Sequence, residues 1–352
     1  MVKKRKASGA KSEPARRSAH KSAQDPAQQL RGMIFGAIQG QAIGVAAELG
    51  IPDLLRDGAK GLPELAKATR TDPAALERML RLLVQMGVMA RGRTGKFACT
   101  ALGRQLQAQV PSSLRNYARL TNLETVLHVV GRLQHSLGKA ESQYMALHGE
   151  AFYQALQHLP AEGAIFNGAM QEISEQDIVA MGESCDFSRY RSVVDVGGGQ
   201  GHLLAALLDD YPRMHGVLQD VPGVVAGAGE ILRHHVAGGR CRVIGGDFLQ
   251  GVPAGGDLYL LKRVLSHCSE KQARRLLVNI RSVIAPRGRL LVADPDPASL
   301  YGASFDVLML VLLGGGLRTR DQLKEMFTAT GFAYTRTVGT SGELQLIEAS
   351  PA

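Results

Sequence analysis

"SVVDVGGGQGHLLAALLDDYP", residues 192–212, decides the fold. A short β-branched run reads as a buried strand, the glycines as a tight turn, and the leucine-rich segment after them as a helix. A strand, a glycine-rich turn and a helix make a nucleotide site in physical terms. The glycines let the backbone approach a ligand, and the helix start offers unpaired N–H groups. Gly197, Gly198, Gly199 and Gly201 are spaced GxGxG, so the third glycine of the dinucleotide pattern falls too early.

The same alternation continues downstream. "HGVLQDVPGVV" (215–225) is a second strand with Asp220 at its end, 19 residues beyond Gly201. An acid there can accept both hydroxyls of a ribose. "RCRVIGGDFL" (240–249) is a third strand, ending in Asp247 beside the place of an adenine. "GDLYLLKRVL" and "GRLLVAD" are the fourth and fifth. Ser269 opens a helix with Gln272 three residues on, a capping box, and Ala273, Leu276, Leu277, Ile280, Val283 and Ile284 form its apolar face. "RDQLKEMFTATGF" is a helix, and "YTRTVGTSGELQLIEAS" a closing hairpin that sets an antiparallel strand within or beside the sheet. Strands alternating with helices predict a parallel, doubly wound α/β sheet. No GKS/T follows the glycines, so an adenosine-containing ligand fits better than a nucleoside triphosphate.

Upstream, residues 28–58 read as helix, apolar on most faces, which a core or a second subunit must cover. In 61–103, Asp72 caps a helix with Pro73 at its first position, and "VMARGRTGKFACT" reads as a hairpin. Helix, helix, hairpin is a winged-helix pattern. Arg78, Arg81, Arg91 and Arg93 would serve DNA binding; the alternative is a packing module that reuses the shape. Residues 112–188 are mainly helical.

Composition narrows the classes. Eight Lys/Arg against one acid in residues 1–22 carry +7 of the net +9, leaving +2 for the other 330 residues. The folded part therefore has no global field for nucleic acid. The tail reads as a disordered, solvated arm, with a nuclear-localisation or nucleic-acid-tethering role as the alternative. No apolar run reaches the ~18 residues of a membrane span, and no secretory signal follows the basic start. Cys99, Cys185, Cys241 and Cys268 are scattered, fitting neither a disulfide framework nor a zinc site; no metal is expected, and a reducing cytoplasm is the natural compartment.

"VVDVGGGQG", "GGDFL", "DLYLLKRVL", "APRGRLLV" and "DVLMLVLLGGGLRT" occur in order, behind the winged-helix-like unit. Together they resemble the S-adenosylmethionine-dependent small-molecule O-methyltransferases that act on phenols, acetylserotonin, carotenoid intermediates, aromatic polyketides and phenazines. The resemblance runs from about residue 28 to the C-terminus. It implies a Rossmann-like sheet, mostly parallel with a C-terminal antiparallel hairpin, behind an N-terminal all-helical, winged-helix-like domain that forms a homodimer. The expected division is a tail over 1–26, a dimerisation domain over 27–110, a helical linker and pocket lid over 111–188, and a catalytic domain over 189–352. The resemblance also implies roles. Asp195 and Gly197 to Gly201 would hold the methionine end of S-adenosylmethionine, Asp220 its ribose, and Asp247 and Phe248 its adenine. Lys262 would lie near the cofactor's carboxylate or adenine edge, and Ser174 belongs to the same group. Phe166, Met170 and Met309 would wall the pocket of a small aromatic or heteroaromatic substrate.

The match breaks at the base. The family usually carries a histidine directly after "RVL"; this chain has Ser266 there and His267 next, and both are catalytic candidates. In a helical stretch one residue turns a side chain by ~100°, so His267 does not inherit the position automatically. His128, His135 and His148 are further histidines that could reach the pocket. A second family acid, before "RT", is Leu317 here. Alignment of nucleophile and methyl supplies effective molarities up to ~10⁵–10⁸ M, whereas a general base adds ~10²–10⁴. A phenol of pKa ~10 needs that base; an acidified hydroxyl or a ring nitrogen does not. The functions left open are methylation of a hydroxyl, methylation of a heterocyclic nitrogen, a non-methylating step that uses the sulfonium charge, and a winged-helix regulator that senses the cofactor.

Overall fold

The computed structural model describes residues 25–139 and 141–352. The basic-tail reading of residues 1–22 lies outside them. Asp25 accepts from the Ala27 N–H and caps the first helix, Pro26–Ile34.

The predicted helix over 28–58 is three helices: Pro26–Ile34, Gly36–Glu48 and Ile51–Leu54. Phe35 leaves helical geometry at ψ 2°. Gly50 turns left-handed at φ 63°, a conformation cheap only for glycine, and Pro52 then restarts the helix. The unit is also not wholly helical. Pro73–Gln85, capped by Asp72 through the Ala75 N–H at 2.8 Å, leads into a hairpin of β1 (Met89–Arg91) and β2 (Phe97–Cys99). Leu76, Leu80 and Leu83 close its core against Ile51 and Phe97. Arg91 is engaged by Glu77 at 3.1 Å and lies over the Phe97 ring.

The catalytic half is a seven-stranded sheet of β3 (Ser192–Val196), β4 (His215–Asp220), β5 (Cys241–Gly245), β6 (Leu258–Lys262), β7 (Arg289–Pro295), β8 (Phe332–Gly339) and β9 (Leu344–Pro351). The order is β5-β4-β3-β6-β7-β9-β8. The first five are parallel; β9 runs antiparallel between β7 and β8, so the closing hairpin lies within the sheet. Parallel strands covered on both faces read as continuous apolar runs. One face is closed by the helix Glu270–Val283, whose Ala273, Leu276, Leu277 and Ile280 are fully buried, with Arg320–Ala329 beside it. The other is closed by His202–Asp210. Strand order reverses between β3 and β6, which puts the ligand crevice outside their carboxyl ends.

A helical layer lies over that crevice, built on the 25-residue helix Pro160–Ser184 and the helix Leu300–Leu313. One buried carboxylate holds part of this layer. Glu172 accepts from the Asn116 and Tyr117 N–H groups at 2.9 and 3.0 Å and from the Asn116 side chain at 2.9 Å. These N–H groups open the helix Arg115–Leu120 and have no partner within it. Removing their acceptor strands buried donors at ~1–3 kcal/mol. Glu172→Ala is therefore expected to destabilise the protein by at least about 1 kcal/mol; an unmoved urea midpoint would count against this assignment.

Candidate active site

The end of β3 carries Asp195, 1 % exposed, and both its carboxylate oxygens lack a hydrogen-bond partner among the described residues. The glycine turn sits directly on it: a Cβ on Gly198 would fall 2.4 Å from Asp195 Oδ2. Burial pushes this carboxyl up to about 7, with Lys262 pulling the other way. An unpaired buried carboxylate is costly, so the cradle suits a cationic ligand group. Gly197, Gly199 and Gly201 all take positive φ (68°, 63°, 88°), and Gly201 caps the helix His202–Asp210.

Asp220, at the end of β4, accepts the Gly199 N–H at 2.8 Å and the Val221 N–H at 2.7 Å. Each oxygen spends one acceptor site on the backbone and keeps capacity for a hydroxyl. Burial raises this carboxyl, and the two backbone hydrogen bonds oppose the rise. Phe248 is half-buried against the turn, 3.6 Å from where a Gly197 Cβ would stand. Asp247 is exposed and accepts the Leu249 N–H. Donor set, glycine backbone and orphaned carboxylate together fit an adenosyl sulfonium amino acid.

At the end of β6, Lys262 Nζ donates to Ser174 Oγ at 3.0 Å and lies 3.7 Å from Asp177. Burial lowers its pKa and Asp177 opposes the fall. Arg263 adopts φ 55°, which side chains other than glycine rarely take. That conformation accompanies a two-pronged ion pair with Asp177 at 2.8 and 3.1 Å, 86 residues away in the chain. Burial works against the guanidinium charge, and Asp177 outweighs it, so Arg263 stays firmly protonated.

The next turn is a 3₁₀ helix, Leu265–His267, and it separates the two catalytic candidates. Ser266 is fully buried, and its hydroxyl donates to Asp294 Oδ1 at 2.8 Å rather than opening on the cavity. Burial pushes the Asp294 carboxyl up to about 6, with the Ser266 hydrogen bond opposing. His267 instead lines a cavity walled by Phe152, Tyr153, Phe166, Met170, Phe305 and Met309. Arg263 is the charged residue on its wall. Desolvation, then Arg263 and Lys262, push the His267 imidazole down to about 4, so it is neutral at pH 7. His267 Nδ1 lies 2.8 Å from the Tyr153 hydroxyl. The cavity volume is about 60 Å³. A roomier cleft, about 190 Å³, lies among Ser192, His215 and Arg242 at the amino ends of the strands, the wrong edge of a parallel sheet for ligand chemistry.

Phe166, Met170 and Met309 thus face the cavity, while Ser174 faces Lys262. His128, His135 and His148 are exposed and outside the lining, and Leu317 packs into the apolar cluster behind the wall. Sequence reasoning missed Tyr153, Asp177, Arg263, Asp294 and Phe305. Asp177 had a signal: positions 166, 170, 173, 174 and 177 share one helical face, and an acid there must meet a partner.

Comparison with known proteins follows the same line. The O-methyltransferase domain profile matches residues 131–333, and the O-methyltransferase dimerisation domain matches residues 32–130. A phenazine O-methyltransferase of Lysobacter antibioticus is 34% identical over 323 residues, covering 91% of this chain and 94% of its own. The phenazine-1-carboxylate N-methyltransferase of Pseudomonas aeruginosa is 31% identical, covering 93% and 98%. A crystal structure of an O-methyltransferase from neocarzinostatin biosynthesis, with S-adenosylmethionine and 2-hydroxy-5-methyl naphthoic acid, superposes with a TM-score of 0.78 at 27% identity, covering 89% and 96%.

A cation beside Asp195 favours its ionised form and lowers its pKa. Cofactor uptake below about pH 7 should therefore release a proton, and affinity should rise from pH 5 to pH 7, by at most about tenfold per pH unit, and then level. Calorimetry in buffers of different ionisation enthalpy reads this directly. Asp195→Asn should bind weakly and without the slope; a slope retained in that variant would exclude Asp195 as its source.

Proposed function

Because the chain belongs to the O-methyltransferase family, S-adenosylmethionine-dependent enzymes that methylate small metabolites, we propose that its acceptor is a hydroxyl group on a small aromatic secondary metabolite. The observation that carries this reading is the cavity. It is lined mainly by aromatic rings, leucines and methionines, with Tyr117, Thr121, Tyr153, Arg263 and His267 as its polar members, and its Arg263 flanks Val264, which would meet a Cβ on Gly197 of the glycine turn at 2.8 Å. Flat apolar walls with few polar groups suit an aromatic ligand.

When bound, the cofactor supplies a methyl carbon activated by its sulfonium. Asp195 and Gly197 to Gly201 hold its methionine end, Asp220 its ribose, and Asp247 and Phe248 its adenine. Lys262 and Ser174 complete that wall. Phe166, Met170 and Met309 hold the acceptor flat and exclude water. Alignment of this kind supplies effective molarities up to ~10⁵–10⁸ M, so the positioning residues carry most of the rate. His267 touches the acceptor; Ser266, tied to Asp294, supports the turn from behind. The weakness of His267 as a proton acceptor favours a second reading, a heterocyclic ring nitrogen that has no proton to lose.

The dimerisation profile and the exposed apolar residues Leu30, Met33, Ile34, Phe35 and Ile38 support a homodimer closed over this first segment. Four unpaired cysteines support the reducing cytoplasm as its compartment. Among the described residues no helix is long and apolar enough to cross a membrane.

Two experiments test the reading. With methyl-labelled cofactor and panels of hydroxyarenes and N-heterocycles, product mass and NMR should place one methyl on oxygen. A methyl on nitrogen selects the second reading, and cofactor binding without any methylated product defeats both. Phe35→Asp combined with Ile38→Asp should yield monomers by light scattering; a dimer that survives would move the interface elsewhere.

A further inference from the structure

The Tyr153–His267 contact determines which face His267 turns to the acceptor. The two groups come from elements 114 residues apart and meet at 2.8 Å. A neutral imidazole carries one proton on two nitrogens. If Nδ1 held it, Nδ1–H would donate into the phenol oxygen, and the Tyr153 O–H would need another acceptor. Among the described residues it has none. If Tyr153 donates instead, Nδ1 accepts and the proton sits on Nε2; the Tyr153 O–H and Nδ1 are then paired, and Nε2–H is the one group left without a partner among the described residues. Protein polar groups held away from water settle in the arrangement that pairs them.

We propose that Tyr153 fixes His267 as the Nε2–H tautomer, so that His267 offers the acceptor a hydrogen-bond donor rather than a base and selects oxygens that arrive already ionised. Tyr153 is the positioning residue; His267 is the group that touches substrate. The charges facing His267 agree. Lys262 and Arg263, beside it in the chain, are offset by Asp177, with Asp195 also acting on Lys262 and Asp294 on Arg263; at the His267 ring itself the two cations are the charges that act, which favours an oxyanion there. The substrate class follows: hydroxyl groups acidified by an adjoining quinone, carbonyl or electron-poor heteroaromatic ring, ionised near neutral pH. In that reaction the oxygen lone pair forms the new O–CH₃ bond, the carbon–sulfur bond breaks with its electrons left on sulfur as a neutral thioether, and no proton is transferred.

This inference rests on methyl transfer to oxygen for its substrate class, and its first test does not. Long-range ¹H–¹⁵N NMR of the full-length protein labelled at histidine, with His267→Gln to assign the signal, should show His267 protonated on Nε2. Tyr153→Phe should shift it towards a mixture of tautomers. An Nδ1-protonated ring in the parent protein overturns the proposal, whatever the enzyme methylates. The second test uses kinetics on hydroxyarenes with hydroxyl pKa from about 6 to about 10 at pH 7. Turnover should fall about tenfold per unit above the assay pH, as the ionised fraction does. His267→Ala should lose mainly through KM, and His267→Gln, which keeps an N–H but cannot serve as a base, should recover much of that loss. Equal losses of ~10²–10⁴ in kcat for both variants are the signature of a general base and would overturn the proposal. Failure to methylate any acceptor would remove the methyl-transfer reading and leave the NMR result to decide the tautomer.

Discussion

The ion pair between Arg263 and Asp177 holds the site together. Asp177 comes from the long helix of the covering layer and Arg263 from the tip of a central strand, and both are buried. The pair is accompanied by a left-handed residue, a strain of order 1–3 kcal/mol. Removing one partner would leave the other charge buried and uncompensated, at ~3–5 kcal/mol, so each residue holds the other in place. Its consequence is geometric. The same helix carries Phe166, Met170 and Ser174, so fixing Asp177 fixes the wall of the cavity and the partner of Lys262. The same strand end continues into the turn that carries His267. Cofactor crevice and acceptor cavity are two sides of one clamped joint.

What the sequence disclosed follows from the range of the interactions involved. The glycine turn, Asp195 and Asp220 were legible because the φ requirements of a tight turn and the order of strand ends are written locally. The capping box at Ser269 and the Asp72 cap were legible for the same reason, and both are formed in the structure. The break of the first helix at Phe35 was not, since Gly32, Gly36 and Gly40 recur through this segment and none of them singles out a stop. The directions of Ser266 and His267 were beyond local reasoning. Three residues of 3₁₀ helix send one under the sheet edge and the other into the cavity, and the choice depends on Asp294 and Tyr153, which no spacing connects to them. Asp177 and Arg263 share that difficulty, as a contact across 86 residues.

The two sides of the joint differ in how they treat charge. The cofactor side keeps a carboxylate unpaired and a second one partly committed, which suits a ligand that brings its own cation. The acceptor side pairs nearly every polar group it contains. Ser266 is spent on Asp294, Arg263 on Asp177 and Tyr153 on His267. What remains for a substrate is chiefly apolar contact, one ring nitrogen, and the field of Arg263 and Lys262 at that ring.

The acceptor cavity, at about 60 Å³, is smaller than the roughly 150 Å³ that accommodates benzene. On the proposed reading, an aromatic guest is therefore accommodated by outward adjustment of the side chains that the helices Pro160–Ser184 and Leu300–Leu313 present to it. Methionine, unbranched and soft, is well suited to walls that must yield and reseal around guests of different outline.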